Sequence, residues 1–294
     1  MIFNPPSVVV LLAAYNGMKC IEEQIDSISK QEDVDIDIFI SVDMSSDGTY
    51  EWCQNLALKN TKINVLPYGD YFGGAAKNFF RLIRDVDFGN YDYISLADQD
   101  DIWLPRKISR AVKLITEGEL DGYSSNVIAF WDDGRKKIIK KSYAQKQFDY
   151  YFEAAGPGCS YVFKQESIFL FKEFLIDNWI QVNRVELHDW MIYAYFRSLN
   201  MLWHIDEVPS MYYRQHENNQ VGVNNGLYAY LNRVKIIKNK WYRGEVQKIT
   251  DLVGIYNKNS IVLSYVFLIK NFYQLRRKPT DVTFLLFMLL LRVF

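Results

Sequence analysis

Four short apolar runs occupy the first hundred residues, and a segment with a different period separates each from the next. They are Val8-Val9-Val10-Leu11-Leu12, Ile36 to Val42, Ile63-Asn64-Val65-Leu66 and Tyr93-Ile94-Ser95-Leu96-Ala97. Short β-branched runs of this kind read as strands buried on both faces. After the first run comes a turn at Asn16-Gly17, then Ile21, Ile25 and Ile28 at helical spacing. After the second comes the turn-rich Ser45-Ser46-Asp47-Gly48, then Trp52, Leu56 and Leu58. A further helix is expected around Asn78 to Arg84. Strands that alternate with helices specify an α/β fold built on a mostly parallel sheet.

The second half is less regular. Val127 to Trp131, Asp132-Asp133-Gly134 and Ile138-Ile139 read as a hairpin, and Gly156-Pro157-Gly158 as a tight loop. Glu166 to Trp179 and Asp189 to Ser198 read as helices, and Met201 to Asp206 and Ser210 to Arg214 as short strands. Beyond about Asn225 the pattern is helical and basic. Residues 226–294 hold 12 Lys/Arg and three acids, a balance of +9, against 22 bases and 32 acids in the rest. This segment also carries the apolar runs Ile261 to Ile269 and Val282 to Leu291, with Lys270, Arg276, Arg277 and Lys278 between them. Each run is shorter than the ~20 residues that span a bilayer. A basic segment with apolar runs is expected to meet an anionic membrane surface rather than nucleic acid. The alternative is a set of helices packed on the body. The chain thus divides into an α/β domain over 1–225 and a basic, apolar helical segment over 226–294.

Composition narrows the setting. With 49% hydrophobic residues the chain can bury a sizeable core. Its 21 Tyr could line a sugar site, although packing accounts for most of them. Cys20, Cys53 and Cys159 have neither zinc nor redox spacing, which fits a reduced, cytosolic protein. Met1 to Ser7 has no Lys or Arg, and the following apolar run leads into Tyr15-Asn16-Gly17 rather than a cleavage site, unlike a signal peptide.

The sharpest chemical feature is Asp98-Gln99-Asp100-Asp101, directly after the fourth apolar run. Open α/β sheets bind ligands at the carboxyl ends of their strands. Clustered carboxylates there suit a hard cation such as Mg²⁺ or Mn²⁺, whose other ligands are waters and phosphate oxygens. A polar turn or helix cap is the plain alternative. Asp43 and Asp47 follow an earlier strand and reach toward the same edge, with a turn the preferred reading for Asp47. Ala13-Ala14-Tyr15-Asn16 offers close backbone approach and an aromatic ring for a base, and Gly73-Gly74-Ala75-Ala76 is a second place of low bulk.

Taken in order, Ala13-Ala14-Tyr15-Asn16-Gly17, Ser41-Val42-Asp43 with Ser46-Asp47-Gly48-Thr49, Gly73 to Phe79 and Leu96 to Trp103 resemble the family 2 glycosyltransferases of the GT-A fold. Within them, the chain is most similar to the bacterial rhamnosyltransferases that build surface polysaccharides. The resemblance covers roughly residues 7–222. It implies that Tyr15 and Asp43 contact the nucleoside, and that Asp98 and Asp100 contact the ribose, diphosphate and metal. Ala14, Asn16, Gly74, Lys77, Gln99 and Arg214 complete the nucleotide-sugar set. Met44 stands where many relatives carry a second acid.

His188-Asp189-Trp190 is the remaining constellation. Inverting sugar transfer needs a base for the acceptor hydroxyl, and a carboxylate can serve. By itself Asp189 reads as the cap of the following helix. The resemblance implies that it is the base. Arg214 could pair with phosphate, and His216 could ligate metal or bind diphosphate; the resemblance supports a donor-site role for this segment and adds His216 to Asp98 and Asp100 as metal ligands. His204 reads as structural, and Cys159 as no nucleophile, because this chemistry needs no covalent intermediate. The implied donor is dTDP-rhamnose, with a UDP-hexose or UDP-N-acetylhexosamine as alternative. The implied acceptor is a glycan, lipid-linked, at the cytoplasmic face of the inner membrane, for O-antigen or capsule synthesis. A nicotinamide-dependent enzyme is excluded by the lack of G-x-G-x-x-G after the first strand. A further alternative is a non-catalytic, membrane-associated scaffold, against which the presence of Asp98, Asp100 and Asp189 together argues.

Overall fold

The protein is described here by a computed structural model covering residues 4–215, 240–254 and 264–292. The first half alternates β1 (Ser7–Ala14), α1 (Ile21–Ser29), β2 (Asp35–Val42), α2 (Thr49–Ala57), β3 (Ile63–Val65), α3 (Ala75–Asp85) and β4 (Tyr93–Asp98). Then come β5 (Ile102–Trp103), α4 (Lys107–Glu117), β6 (Gly122–Ser125), β7 (Val127–Phe130), β8 (Lys136–Ile139), β9 (Val162–Lys164), α5 (Gln165–Asp177), α6 (Trp179–Val182), α7 (His188–Ser198), β10 (Trp203–Asp206) and β11 (Met211–Arg214). The C-terminal segment contributes α8 (Trp241–Gly254), α9 (Tyr265–Asn271) and α10 (Pro279–Leu290).

Seven strands form the central sheet in the order β10-β6-β9-β4-β1-β2-β3. All its pairings are parallel except those of β9, which runs against β4 and β6. The periodicity of β1 shows why the sheet is buried on both faces. Val9, Leu11 and Ala13 face one core with Phe79, Phe80 and Ile83 of α3 and Phe171 of α5. Val8, Val10 and Leu12 face the other with Ile21, Ile25 and Ile28 of α1 and Ile108 and Ile115 of α4. Each Val, Leu, Ile or Phe side chain so removed from water contributes roughly 1.5–3 kcal/mol. The expected α/β class with a mostly parallel sheet is therefore the observed one.

The expected hairpin is present as β7 and β8 and joins a second sheet, β5-β11-β7-β8, beside the first. Neither α4 nor β6 nor β9 was foreseen. Gly122 to Ser125 of β6 has no apolar run, yet all four residues are buried. A Cβ at Gly122 would lie 2.4 Å from the Trp203 ring, so glycine at this position makes room for that indole.

The boundary expected near residue 225 lies outside the described residues. Beyond it, α8 packs on α6 and α7. Part of the tail's positive charge turns inward: Arg277 is 4% exposed, and its guanidinium donates to Asp149 and to the Ala154 carbonyl. The exposed cations there include Lys270, Lys278 and Arg292.

Candidate active site

Parallel strands bring their carboxyl ends to one edge. Ala13 is level with Asp98 across β1 and β4, and Ala14 with Val42 across β1 and β2. The loops after these strands therefore meet. Asn16 has φ +47°, a left-handed conformation that Asn tolerates. Its amide donates to Ser45 Oγ at 3.0 Å, and its side-chain carbonyl accepts from the Ser46 amide at 2.9 Å. Asp47 accepts from the amides of Met18 and Thr49. Burial draws its carboxyl upward, but these bonds and one from the Thr49 hydroxyl outweigh it and hold the group below its ordinary range. Asp47 is thus a brace between loops, as the turn reading expected.

Two of the nucleotide-binding candidates brace the site as well. Gln99 accepts from the Tyr15 amide at 2.7 Å and donates to the Tyr15 carbonyl at 2.8 Å. A Cβ on Gly17 would sit 2.4 Å from Gln99 Oε1, so glycine lets that amide lie flat over the turn. The Tyr15 ring, 51% exposed, is left at the rim. Asp43 is buried, and its carboxylate accepts from the amides of Met44 (2.8 Å), Phe72 (2.9 Å) and Gly73 (3.0 Å). It ties the Gly73-Gly74 loop to the end of β2. Gly73, at φ +72°, occupies the left-handed region. Lys77 stands exposed on the first turn of α3.

The acidic motif folds back on itself. Ligand atoms of Asp98, Asp101 and Cys159 lie within 4.8 Å of one another. Asp98 is pushed up to about 7, first by burial and next by Asp100, with Asp189 adding to the effect. Asp101 is raised well above the carboxylate range by burial, Asp100 and Asp98. One of its oxygens accepts from the Arg214 amide, and the other is buried without a hydrogen-bond partner. Lys107, 1% exposed, lies under this cluster, with its ammonium 3.6 Å from the Trp103 ring centroid and 3.2 Å from Ser95 Oγ. Burial lowers it to about 7, against the pull of Cys159 and Asp101. The sequence reading includes Asp101 in the acidic run without listing it as a ligand, and takes Cys159 as part of a tight loop and no nucleophile; nothing local marks Lys107.

Arg214 reaches the same place. Its Nε donates to the Asp100 carbonyl at 2.9 Å, its Nη2 pairs with Glu23, and it lies over the Phe130 ring. It locks α1, the acidic loop and the second sheet together. His216 lies outside the described residues.

Asp189 opens α7 and is half-buried. One of its carboxylate oxygens accepts from the Trp190 amide at 2.8 Å. Burial pushes it up to about 6, against that hydrogen bond and the nearby Lys141 ammonium. Its neighbour His188 stacks on Phe79 with centroids 4.0 Å apart, and burial depresses it to about 3, so it is neutral. A Cβ on Gly158 would meet His188 Nε2 at 2.3 Å, which explains the glycine in this loop. The edge thus holds a buried acid cluster and a separate carboxyl with raised affinity for protons, the usual division between charge binding and proton transfer.

Residues 9–179 match the sequence profile of Glycosyl transferase family 2. The chain belongs to this family. The glycosyltransferase is also 47% identical over 289 residues to a dTDP-rhamnosyl transferase, RfbG, from Shigella flexneri, spanning 96% of this chain and 100% of that one. Among solved structures it resembles S. aureus TarS 1-349 in complex with UDP, with a TM-score of 0.58 at 14% identity over 91% of this chain and 72% of that one. It also resembles the mannosyltransferase PcManGT from Pyrobaculum calidifontis in complex with GDP-Man and Mn²⁺, with a TM-score of 0.50 at 14% identity over 99% and 86%. These structural likenesses agree with the observed GT-A-like fold of the enzyme. A cleft of about 820 Å³, lined in part by Phe148, Arg197 and Trp203, opens at the start of β6 and β10, the edge opposite the acids. The perturbed carboxyls of this glycosyltransferase converge instead at the acidic edge.

Proposed function

We propose that this enzyme transfers L-rhamnose from dTDP-L-rhamnose to a lipid-linked glycan with inversion, in the synthesis of a surface polysaccharide such as O-antigen or capsule, and that Asp189 is its base. The observation that carries the reading is the pairing at one sheet edge of Asp189, pushed up to about 6, with the Asp98–Asp101 cluster. A base tuned toward neutrality takes the acceptor hydroxyl proton as that oxygen attacks the anomeric carbon. The relative's dTDP-rhamnosyl name and the full coverage of that chain support the donor. Tyr15 is available to stack on the nucleobase. Ala14, Asn16, Asp43, Gly74, Lys77, Gln99 and Arg214 shape or line the donor cleft, several of them through the backbone bonds described above.

A divalent ion, Mg²⁺ or Mn²⁺, fits the residues present. Asp101 keeps a buried oxygen without a partner, and Asp98 faces it. Asp98, Asp100 and Asp101 would hold the ion, with His216 as a further candidate ligand. When bound, the ion supplies Lewis-acid stabilisation of the departing diphosphate. A screen of the purified protein against dTDP-L-rhamnose, UDP-hexoses and UDP-N-acetylhexosamines tests the donor. Turnover confined to dTDP-L-rhamnose is expected, and a clear preference for a UDP-sugar would reassign it.

The acceptor implies a location. Among the described residues no helix is long and apolar enough to cross a membrane. The hairpin of α9 and α10 nevertheless leaves Val266 (60%), Phe284 (46%), Phe287 (58%), Leu290 (62%) and Leu291 (56%) exposed. Lys270, Lys278 and Arg292 are exposed beside them, with Arg292 over the Tyr265 ring. This face is proposed to lie on the cytoplasmic leaflet. Each cation near anionic lipid contributes about 1 kcal/mol, and partial insertion of each large apolar side chain a similar amount. The triple variant Phe284→Ser/Phe287→Ser/Leu290→Ser is expected to bind phosphatidylglycerol vesicles on the order of 100-fold more weakly in co-sedimentation. Unchanged binding would remove the hairpin as the attachment site.

A further inference from the structure

The C-terminal segment packs against the irregular stretch that precedes β9. Arg277, at the start of the turn into α10, donates its backbone amide to Glu153, Nη1 to Asp149 at 3.2 Å and Nη2 to the Ala154 carbonyl. Arg276 Nη1 donates to the Phe152 carbonyl at 2.8 Å and to the Tyr242 hydroxyl at 2.8 Å. The Tyr242 hydroxyl donates to that same carbonyl at 2.6 Å. Three consecutive residues of one irregular stretch, Phe152 to Ala154, are thus held by side chains and one backbone amide more than eighty positions away.

That stretch leads to the base by two routes. The next amide, Ala155, donates to the Tyr161 hydroxyl at 3.1 Å, and that hydroxyl donates to the Asp189 backbone carbonyl at 3.4 Å. The second route runs through Trp190. Its indole donates to the Tyr150 carbonyl at 2.9 Å and stacks on Tyr242 at 5.7 Å, while its amide holds the Asp189 carboxylate. A buried guanidinium is costly to desolvate unless paired, and its planar fork then fixes the geometry of what it binds. The carbonyls it fixes here end one bond from the residue that supports Asp189.

We infer that Arg276 and Arg277 are positioning residues for the catalytic centre, holding residues 149–155 and, through Tyr161 and Trp190, the backbone that carries Asp189. The C-terminal segment then belongs to the active site and is not a separable anchor. The consequence is specific. The proposed donor residues Tyr15, Asp43 and Asp98 lie at the ends of β1, β2 and β4, which these arginines do not touch, so donor binding is expected to be independent of them. Proton transfer at Asp189 depends on them.

This inference rests on the reading of Asp189 as the base, which Asp189→Asn tests separately with both arginines intact. The experiment compares full-length wild type, Arg277→Gln, Arg277→Lys, Arg276→Gln and Tyr242→Phe. Binding of dTDP is measured by calorimetry, turnover of dTDP-L-rhamnose to water with Mg²⁺ is measured by product release, and backbone order is read by amide hydrogen exchange. Arg277→Gln is expected to lower turnover at least tenfold, with Arg277→Lys intermediate and dTDP affinity within twofold of wild type. Exchange is expected to quicken in residues 150–161 and 186–192 and to stay unchanged in β1 and β4. If Arg277→Gln does not fold, Tyr242→Phe and Arg276→Gln carry the test, with losses of about threefold or more expected. Wild-type turnover in the folded variants would overturn the inference. So would dTDP affinity falling in step with turnover, or exchange quickening throughout the sheet, because each marks a general packing role.

Discussion

Asp189→Asn is expected to lower the turnover of dTDP-L-rhamnose by on the order of 10²–10⁴, the usual range for loss of a positioned general base. The substitution keeps the shape of the side chain and its ability to accept from the Trp190 amide, so the start of α7 is expected to survive. What disappears is the proton acceptor. Affinity for dTDP is expected to change little, since Asp189 lies on α7 and not at the strand ends that carry the proposed donor residues. The pH profile carries a second mark of the same group. Burial pushes Asp189 up to about 6, and the base works only when ionised. The acid limb of kcat/KM is therefore expected to fall as pH drops through about 6 rather than near the ordinary carboxylate value of about 4. Turnover by Asp189→Asn close to wild type, or a limb near pH 4, would take Asp189 out of this role.

Removal of divalent metal is the second large effect. An ion on a departing diphosphate supplies several kcal/mol of charge stabilisation. With tenfold in rate for each ~1.4 kcal/mol, exhaustive chelation is expected to lower turnover by on the order of 10³. Restoring Mg²⁺ or Mn²⁺ should recover it. Asp98→Asn is expected to reproduce the loss without unfolding the protein, because a raised Asp98 already indicates a carboxylate that its surroundings do not stabilise in the charged form. Calorimetry with metal and dTDP, set beside the turnover assay, reads both. Full activity after chelation would contradict the assignment of the acid cluster.

The sequence showed the frame more clearly than the groups behind it. Val8 to Leu12 and Tyr93 to Ala97 are apolar because their strands are covered on both faces, so their pattern announces them. Gly122 to Ser125 is as buried as any of these, but Gly122 and Ser124 meet Trp203, eighty residues on, while Tyr123 enters the opposite core, so no apolar run marks the strand. The acidic motif was legible as a cluster at a strand end. The partners of Asp101 were not, because Cys159 and Lys107 arrive from other elements, and a lysine on a helix ordinarily faces solvent. Charge counting misread part of the tail for a related reason. It records that Arg276 and Arg277 are basic, but not that Glu153 and Asp149 wait for them inside the fold. Roles that depend on one side chain and its own loop, such as the bonds of Asp47 to Thr49, were readable. Roles that depend on convergence were not.

The central claim is a single displacement at the anomeric carbon of a nucleotide-linked rhamnose. It is tested most directly by the configuration of the product. With β-linked dTDP-L-rhamnose as donor and Mg²⁺ present, the linkage formed on the glycan acceptor is expected to be α by the one-bond carbon–proton coupling in NMR. A β-linked product would mean retention and would contradict the account.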